Sequence, residues 1–395
     1  MKLVNARRKN TIKAKHNFNK ILLVANTGWY LYNFRLPLAQ HLRTLGVEVV
    51  FISPWDVYVE KIQAEGFLWI ELDMIRRSTN PFLELYAIFR LIIIYLQEKP
   101  SAVHHFTIKC VLYGGIAAKL VGVPAVINAI TGLGYIFINK DLKARILRPL
   151  LKPLYRFVLK AEAGRVIFQN QDDIATLAKL NLISPKRTIL IRSSGVDAKR
   201  FSPSYYTHKK HQKPIVLLAA RLIGEKGIYE YVEAAAILKN RGCKAIFQIA
   251  GGLYSGNPSA IAEDIAKQWC NQGLIDWLGH VDNMEEVIGA STIVVLPSYR
   301  EGVPKILLEA AAMCKPLVAT DVPGCRDVVE HGINGYLVPV KDAHRLADAI
   351  ERLLKNPELC QKMGKLGREK VIVKFNVNDV VRKTVEVYQD MGLFS

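Results

Sequence analysis

IVVLPSYREGVPKILLEAAAM, residues 293–313, decides the fold. Ile293–Leu296 is a four-residue apolar run, the length of a buried strand and too short for a core helix. A polar turn follows, Pro297-Ser298-Tyr299-Arg300-Glu301-Gly302-Val303-Pro304, and then a helix from Lys305 to Met313. Proline suits a first helical turn, so Pro304 marks the helix start. A strand that passes through a glycine-containing turn into a helix is the repeating unit of a parallel sheet covered by helices. Glu301 stands in the turn, and Glu309 about a turn and a half into the helix. Between them, the backbone of Gly302, Val303, Pro304 and Lys305 faces whatever sits on the helix N-terminus, a place suited to phosphate. Carboxylates on either side can accept hydrogen bonds from sugar hydroxyls. The structural alternative makes Glu301 a cap-region acid and Glu309 a solvated helix residue. However, Glu309 lies within Leu307-Leu308-Glu309-Ala310-Ala311-Ala312, where an unpaired carboxylate would be costly.

The same unit stands upstream. The run Ile215–Ala220 ends in Arg221, and Lys226 follows within Gly224-Glu225-Lys226-Gly227 before another helix. Two cations beside glycines at a strand-to-helix turn can hold a diphosphate. Two solvated cations in a surface loop would look the same on this segment alone. Further β-like runs are Ile21–Ala25, Val47–Ser53, Ala102–His105, Ala125–Ala129, Val166–Gln169, Ala245–Ala250, Leu317–Ala319 and Tyr336–Val338, with helical stretches such as Phe34–Leu45 between them. The pattern predicts an α/β chain of two successive doubly wound, Rossmann-like domains, with a ligand cleft at the carboxyl ends of the strands. A basic tail occupies residues 1–19, the first domain residues 20–201, a polar linker residues 202–213, and the second domain residues 214–375. The amphipathic C-terminal stretch, about 376–395, is expected to return to the first domain.

Composition narrows the class. Half of the 395 residues are apolar and 23% are charged, which excludes disordered, collagen-like and disulfide-framework chains. The net charge of +19 resides in the first half: residues 1–213 hold 33 Lys/Arg against 13 Asp/Glu, the remainder 21 against 22. Six cysteines without C-x-x-C spacing read as reduced core residues. The first twenty residues carry seven basic side chains and no apolar segment, unlike a secretory signal. Phe82 to Leu96 is the longest apolar stretch, too short and too charged for a transmembrane span of about 20 residues. A cytoplasmic protein is the expectation.

Arg221 with Lys226, the Glu-x7-Glu pair Glu301 and Glu309, and the loop Pro323-Gly324-Cys325-Arg326 together resemble the retaining glycosyltransferases of the GT-B fold. More narrowly, they resemble the bacterial branch that extends lipid-linked or cell-surface glycans from nucleotide sugars. The resemblance covers about residues 20–390. It implies that Arg221 and Lys226 hold the donor diphosphate, that Glu301 contacts the donor sugar, and that Glu309 holds the ribose hydroxyls. Gly251 and Gly252 match the family's glycine turn, without its more usual Gly-x-Gly. A UDP-sugar is the implied donor, no metal or other cofactor is expected, and no covalent nucleophile is assigned. Cations and helix amides would stabilise the departing diphosphate electrostatically.

In the first half, Asn26-Thr27-Gly28 and Asn33-Phe34-Arg35 resemble the family's loop facing the cleft. Gly28 is expected to approach the donor, with Asn33 and Arg35 on the acceptor side. Arg35 as an exposed helix cation is the alternative. His104 and His105 end a strand where cleft residues belong, although satisfied core histidines would also fit. Thr131, in Thr131-Gly132-Leu133-Gly134-Tyr135, stands near the place where many relatives have histidine. Seven basic residues between Lys143 and Arg165, interleaved with apolar ones, read as a membrane-surface segment or as a solvated helix packed on its own domain. Nucleic acid is not expected as a partner, since no aromatic stacking platform accompanies the charge. The function expected is transfer of a hexose or N-acetylhexosamine to a membrane-associated, polyprenyl-diphosphate-linked glycan, at the inner face of the membrane. A sugar-nucleotide epimerase of the same architecture and an inactive scaffold are the alternatives.

Overall fold

A computed structural model describes residues 20–76, 78, 80–132, 142–203, 213–254 and 257–394, apart from the side chains of 142–147 and 150. The basic tail 1–19, most of the linker and Leu133-Gly134-Tyr135 lie outside the described residues. Strands β1 (Lys20–Val24), β2 (Glu48–Ser53), β3 (Leu68–Glu71), β4 (Ala102–Phe106), β5 (Ala125–Ile130), β6 (Gly164–Phe168) and β7 (Thr188–Leu190) form one sheet, ordered β3-β2-β1-β4-β5-β6-β7. Strands β8 (Ile215–Ala219), β9 (Ile246–Ala250), β10 (Asp276–Gly279), β11 (Ile293–Leu296), β12 (Leu317–Thr320) and β13 (Gly335–Val338) form a second, ordered β10-β9-β8-β11-β12-β13. All pairings are parallel. In both sheets the order reverses beside the first strand, which opens a crevice above the carboxyl ends of the strands. Central strands are buried on both faces and therefore read as continuous apolar runs. Strands β3, β7 and β10 were not anticipated. Each is a sheet edge with a short, mixed sequence and half-exposed side chains.

Helices α1 (Gly28–Thr44), α2 (Tyr58–Ala64), α3 (Pro81–Glu98), α4 (Ile108–Val121), α5 (Leu142–Leu159) and α6 (Gln171–Lys179) accompany the first sheet. Around the second lie α7 (Ile228–Asn240), α8 (Glu263–Asn271), α9 (Met284–Ala290), α10 (Lys305–Ala312), α11 (Pro323–Val328), α12 (Ala343–Leu354) and α13 (Pro357–Lys374). The last helix, α14 (Val377–Asp390), returns to the first sheet, where Val380, Val385 and Tyr388 join a core with Leu31, Leu38 and Phe106. The two chain crossings pair with each other: Val196 N–H donates to the Phe375 carbonyl (2.8 Å) and Val377 N–H to the Val196 carbonyl (3.1 Å). Gly195 enters this crossing at φ +78°, and an added Cβ would stand 2.6 Å from Val377 Cα.

Helix α1 begins at Gly28, ahead of the expected Phe34, because the Thr27 hydroxyl accepts from the Tyr30 N–H and caps it. This register puts Leu31, Arg35, Leu38 and Leu42 on the buried face. Arg35 is thus buried on that face. Its guanidinium lies 4.2 Å from the Phe106 ring centre and donates to the Tyr30 hydroxyl at 2.5 Å. The histidines of β4 are also interior. His104 Nδ1 pairs with the Tyr388 hydroxyl at 2.6 Å, while His105 meets the Tyr95 hydroxyl at 2.8 Å and Asn128 Oδ1 at 2.9 Å. Strand alternation sends the two rings to opposite faces of the sheet. Arg35, His104 and His105, expected on the acceptor side, are all buried, and Arg35 and His104 line a small cavity with Gln169 and Thr384. Burial holds His104 well below its ordinary value and pushes His105 down to about 4.

Two outcomes follow for stability. Gly195→Ala should lower it by roughly 2 kcal/mol, read from urea unfolding, through left-handed strain and contact with Val377. His105 is neutral in the fold and binds its proton more readily once unfolded, so stability is complete above about pH 6.5 and declines on acidification. Between pH 7 and 5 the expected loss from His105 alone is roughly 2 kcal/mol. In His105→Gln the pH slope of the urea midpoint should flatten over that interval.

Candidate functional site

The crevice between the halves holds a cavity of about 550 Å³, within the range that encloses a nucleotide-sized ligand. Thr27, Trp29, Asn33, Tyr58 and Arg76 reach it from the first half. Arg221, Lys226, Gly251, Gly252, Tyr254, Glu301, Pro304, Lys305 and Glu309 reach it from the second, and Arg200 from the crossing segment.

Each cation is placed by a local turn. β8 ends at Ala219, and the short 3-10 turn Gly224–Lys226 follows. Gly227 closes that turn at φ +71°, against the Pro297 carbonyl, where any side chain would collide. The turn thus lies along the loop after β11, and the Lys226 ammonium pairs with Glu301. Arg221 stacks 4.4 Å from the Tyr254 ring centre, and Arg76 from the opposite half lies 5.5 Å from the same ring. Both cations of the anticipated pair therefore open into one cavity with both carboxylates.

Helix α10 places Glu309 one turn beyond Lys305, whose ammonium lies 3.5 Å from its carboxylate. Glu309 is almost wholly buried. Burial pushes its carboxyl up from the ordinary value, and the Lys305 and Arg200 charges oppose that shift. Lys305 also donates to the Asn33 carbonyl at 2.6 Å, tying α10 to α1. Arg200 pairs with the buried Glu285.

Several expected positions serve differently. Gly28 does not line the cavity: an added Cβ would stand 2.6 Å from Asp56 Oδ1, and Asp56 accepts from the amides of Trp29 (2.9 Å) and Tyr58 (3.0 Å). Its smallness serves that packing, while Thr27 and Trp29 face the crevice. Gly302 and Val303 also lie outside the lining. Gly302 packs on the Thr131 carbonyl, 2.8 Å from where its Cβ would be, so Thr131 and Gly302 form a seam between the halves. Pro304 precedes α10 as its cap residue, at φ −72° and ψ 119°, instead of occupying the first turn. Gly251 backs onto the Ala220 carbonyl with no room for a side chain, and Gly252 is less crowded.

Sequence reasoning missed Arg76, Arg200, Tyr254 and a clasp opposite the crossing, where the Tyr58 hydroxyl donates to Asp282 (2.7 Å) beside His280. Arg300 adds another bridge, donating to Asp173 at 2.9 Å. Arg76 and Arg200 sit in loops whose cations look like any others. Only the tertiary fold brings them to the cleft.

Two family models match the chain: "Glycosyl transferase 4-like" over residues 20–170 and "Glycosyl transferases group 1" over residues 206–370. An N,N'-diacetylbacillosaminyl-diphospho-undecaprenol alpha-1,3-N-acetylgalactosaminyltransferase of Campylobacter jejuni is 29% identical over 93% of this chain and 98% of its own. A UDP-Gal:alpha-D-GlcNAc-diphosphoundecaprenol alpha-1,3-galactosyltransferase of Escherichia coli is 25% identical over 80% of this chain and 82% of its own. Among solved structures, Anabaena HepE in complex with UDP and glucose superposes with a TM-score of 0.77 at 18% identity, covering 94% of this chain and 99% of its own. A glycosyltransferase of Rickettsia africae also gives 0.77, at 21% identity, covering 95% and 99%. With two parallel sheets facing one charged crevice, and with family models over both halves, the chain belongs to the GT-B glycosyltransferases of the bacterial glycan branch.

Proposed function

We propose that the enzyme moves a hexose or N-acetylhexosamine from a UDP-sugar to a polyprenyl-diphosphate-linked glycan at a membrane surface, with retention of anomeric configuration. The observation that carries this reading is the convergence of Arg221, Lys226, Glu301 and Glu309 in one cavity between the sheets. Breaking the sugar–phosphate bond leaves negative charge on the diphosphate. Arg221 and Lys226 stabilise that charge where it develops, in a crevice shielded from water. The first turn of α10 adds backbone amides that have no partner inside the helix. Glu309 accepts from the ribose hydroxyls, and Glu301, paired with Lys226, positions the transferred sugar. With side-chain cations in this role, no metal ion or other cofactor is required, and no covalent nucleophile is assigned. The Campylobacter and Escherichia relatives are named for undecaprenol diphosphate acceptors, which supports a lipid-linked acceptor here.

Lys226→Ala and Glu309→Ala should each reduce transfer about 100-fold or more, with unfolding midpoints close to wild type. Unchanged turnover in either variant would defeat the site assignment. A donor screen against lipid extracts, followed by mass spectrometry, should reveal a product carrying one added sugar, and EDTA should not alter its rate. Product formed from donor alone would point to an epimerase.

The raised carboxyl of Glu309 adds a pH signature. Its charged form accepts hydroxyl hydrogen bonds best, so donor affinity should be full at neutral pH and fall on acidification. The fall should begin above the range of an ordinary glutamate. Calorimetry of UDP-sugar binding in Glu309→Gln should show weaker binding without that fall.

A further inference from the structure

A second, much smaller cavity lies near the carboxyl ends of β5 and β6, where α1 and the returning helix α14 meet the first sheet. It measures about 10 Å³, and its lining includes Arg35, His104, Gln169, Ser193, Val380 and Thr384. That volume holds about one water-sized sphere and excludes a phosphate, a carboxylate group or a sugar.

The walls carry a charge that no acid answers. Arg35 is only 7% exposed. Its guanidinium donates to the Tyr30 hydroxyl and lies against the Tyr30 and Phe106 rings, but Nε has no hydrogen-bond partner among the described residues. Nε2 of the buried His104 has none either. Burial and the nearby Arg35 charge keep this imidazole neutral. A neutral ring whose Nδ1 accepts from the Tyr388 hydroxyl carries its proton on Nε2. Ser193 Oγ accepts from the Gly195 amide at 3.1 Å, which leaves the hydroxyl proton to be donated. Thr384 spends its own proton on the Val380 carbonyl at 2.7 Å. Gln169 contributes an amide, and no carboxylate lines the cavity among the described residues.

Donors that converge beside a guanidinium without a counter-charge call for a negative acceptor. A water molecule would accept from Arg35 and His104 but leave the buried charge uncompensated. The ring faces of Phe106 and Tyr30 offset part of that cost. An anion of nearly the same size accepts the hydrogen bonds and neutralises the charge together.

We propose that this cavity binds one monatomic anion of chloride size, held by Arg35 Nε, His104 Nε2 and the Ser193 hydroxyl, and that the ion fastens α14 to the first sheet. Val380 and Thr384 bring α14 to the ion directly, and Tyr388 of the same helix orients the His104 ring.

The test uses the full chain, with sodium chloride exchanged for sodium gluconate at constant ionic strength. Each tenfold rise in chloride above its dissociation constant should raise the folding equilibrium constant from urea unfolding about tenfold. Amide hydrogen exchange over residues 380–388 should slow in chloride. Arg35→Gln should lose the chloride dependence. Val380→Ile keeps every donor and adds a methyl group to the lining, so it should lose the dependence too, and it serves if Arg35→Gln does not fold. Wild-type crystals soaked in bromide should show an anomalous peak within hydrogen-bonding reach of Arg35 Nε and His104 Nε2. Absence of that peak overturns the proposal and leaves a water as the occupant. A peak without chloride-dependent stability marks an adventitious ion only, and overturns it as well. So does a dependence that persists in either variant, which is then a general salt effect. Equal exchange of α14 in both salts overturns the fastening role.

Discussion

A cation that faces the crevice must stay charged and in place. Lys226 satisfies this by pairing with Glu301, and Lys305 by lying against Glu309 and the Asn33 carbonyl. In each pair the carboxylate belongs to the loop or helix after β11. That single strand-to-helix connection therefore supplies both the counter-charges and, through α10, the unpaired amides of a helix start. A substrate's phosphates would exchange a protein carboxylate for their own oxygens around the ammonium, with little rearrangement of the backbone. Preorganisation of this kind lets the field act at the moment of bond breaking.

The arrangement works only when the halves face each other, and the contacts between them lie at separate places. Val196 pairs with the backbone around Phe375 and Val377 at the crossing. Tyr58 meets Asp282 on another side, and Arg300 meets Asp173. Lys305 reaches Asn33 within the cleft itself. Apart from the crossing, these are polar side-chain contacts, of the type that exchanges readily with water. The apolar cores stay largely within each half, except that α14 carries the end of the chain back onto the first sheet and Val196 and Phe201 pack into the core of the second. Rigid halves joined by polar contacts are suited to opening for ligand exchange.

How much of this could be read from the sequence depended on whether a signal was local. The central strands were legible because burial on both faces makes them continuous apolar runs. Edge strands such as Asp276–Gly279 were not, since half-exposed edges lose that signature. The Arg221, Lys226, Glu301 and Glu309 set was legible because the first three stand at strand-to-helix turns with glycine or proline punctuation and Glu309 lies in an otherwise apolar helical run. Arg35, His104 and His105 were ambiguous for the opposite reason. Their chemistry suggests a site, but a one-residue change of helical or strand phase decides whether a side chain faces ligand or core. For Arg35 that phase is fixed by the Thr27 cap, ahead of the apolar periodicity that marks the helix. Arg200 and Tyr254 carry no local signal at all, because only the closure of two domains gives them a shared cavity.

The charge asymmetry of the chain also changes meaning once partners are visible. Cations of the second half are answered locally: Lys226 by Glu301, and Arg241 by Asp348 and Glu351. The Arg200–Glu285 pair belongs to this half in function, since Arg200 stands between the crossing and Glu309. Paired charges have short range and fixed direction, and so define a site for one ligand. In the first half Lys109 of α4 is answered in the same local way, by Glu84 of α3 at 2.7 Å. A local, compensated arrangement suits a soluble nucleotide that must bind in one pose and leave.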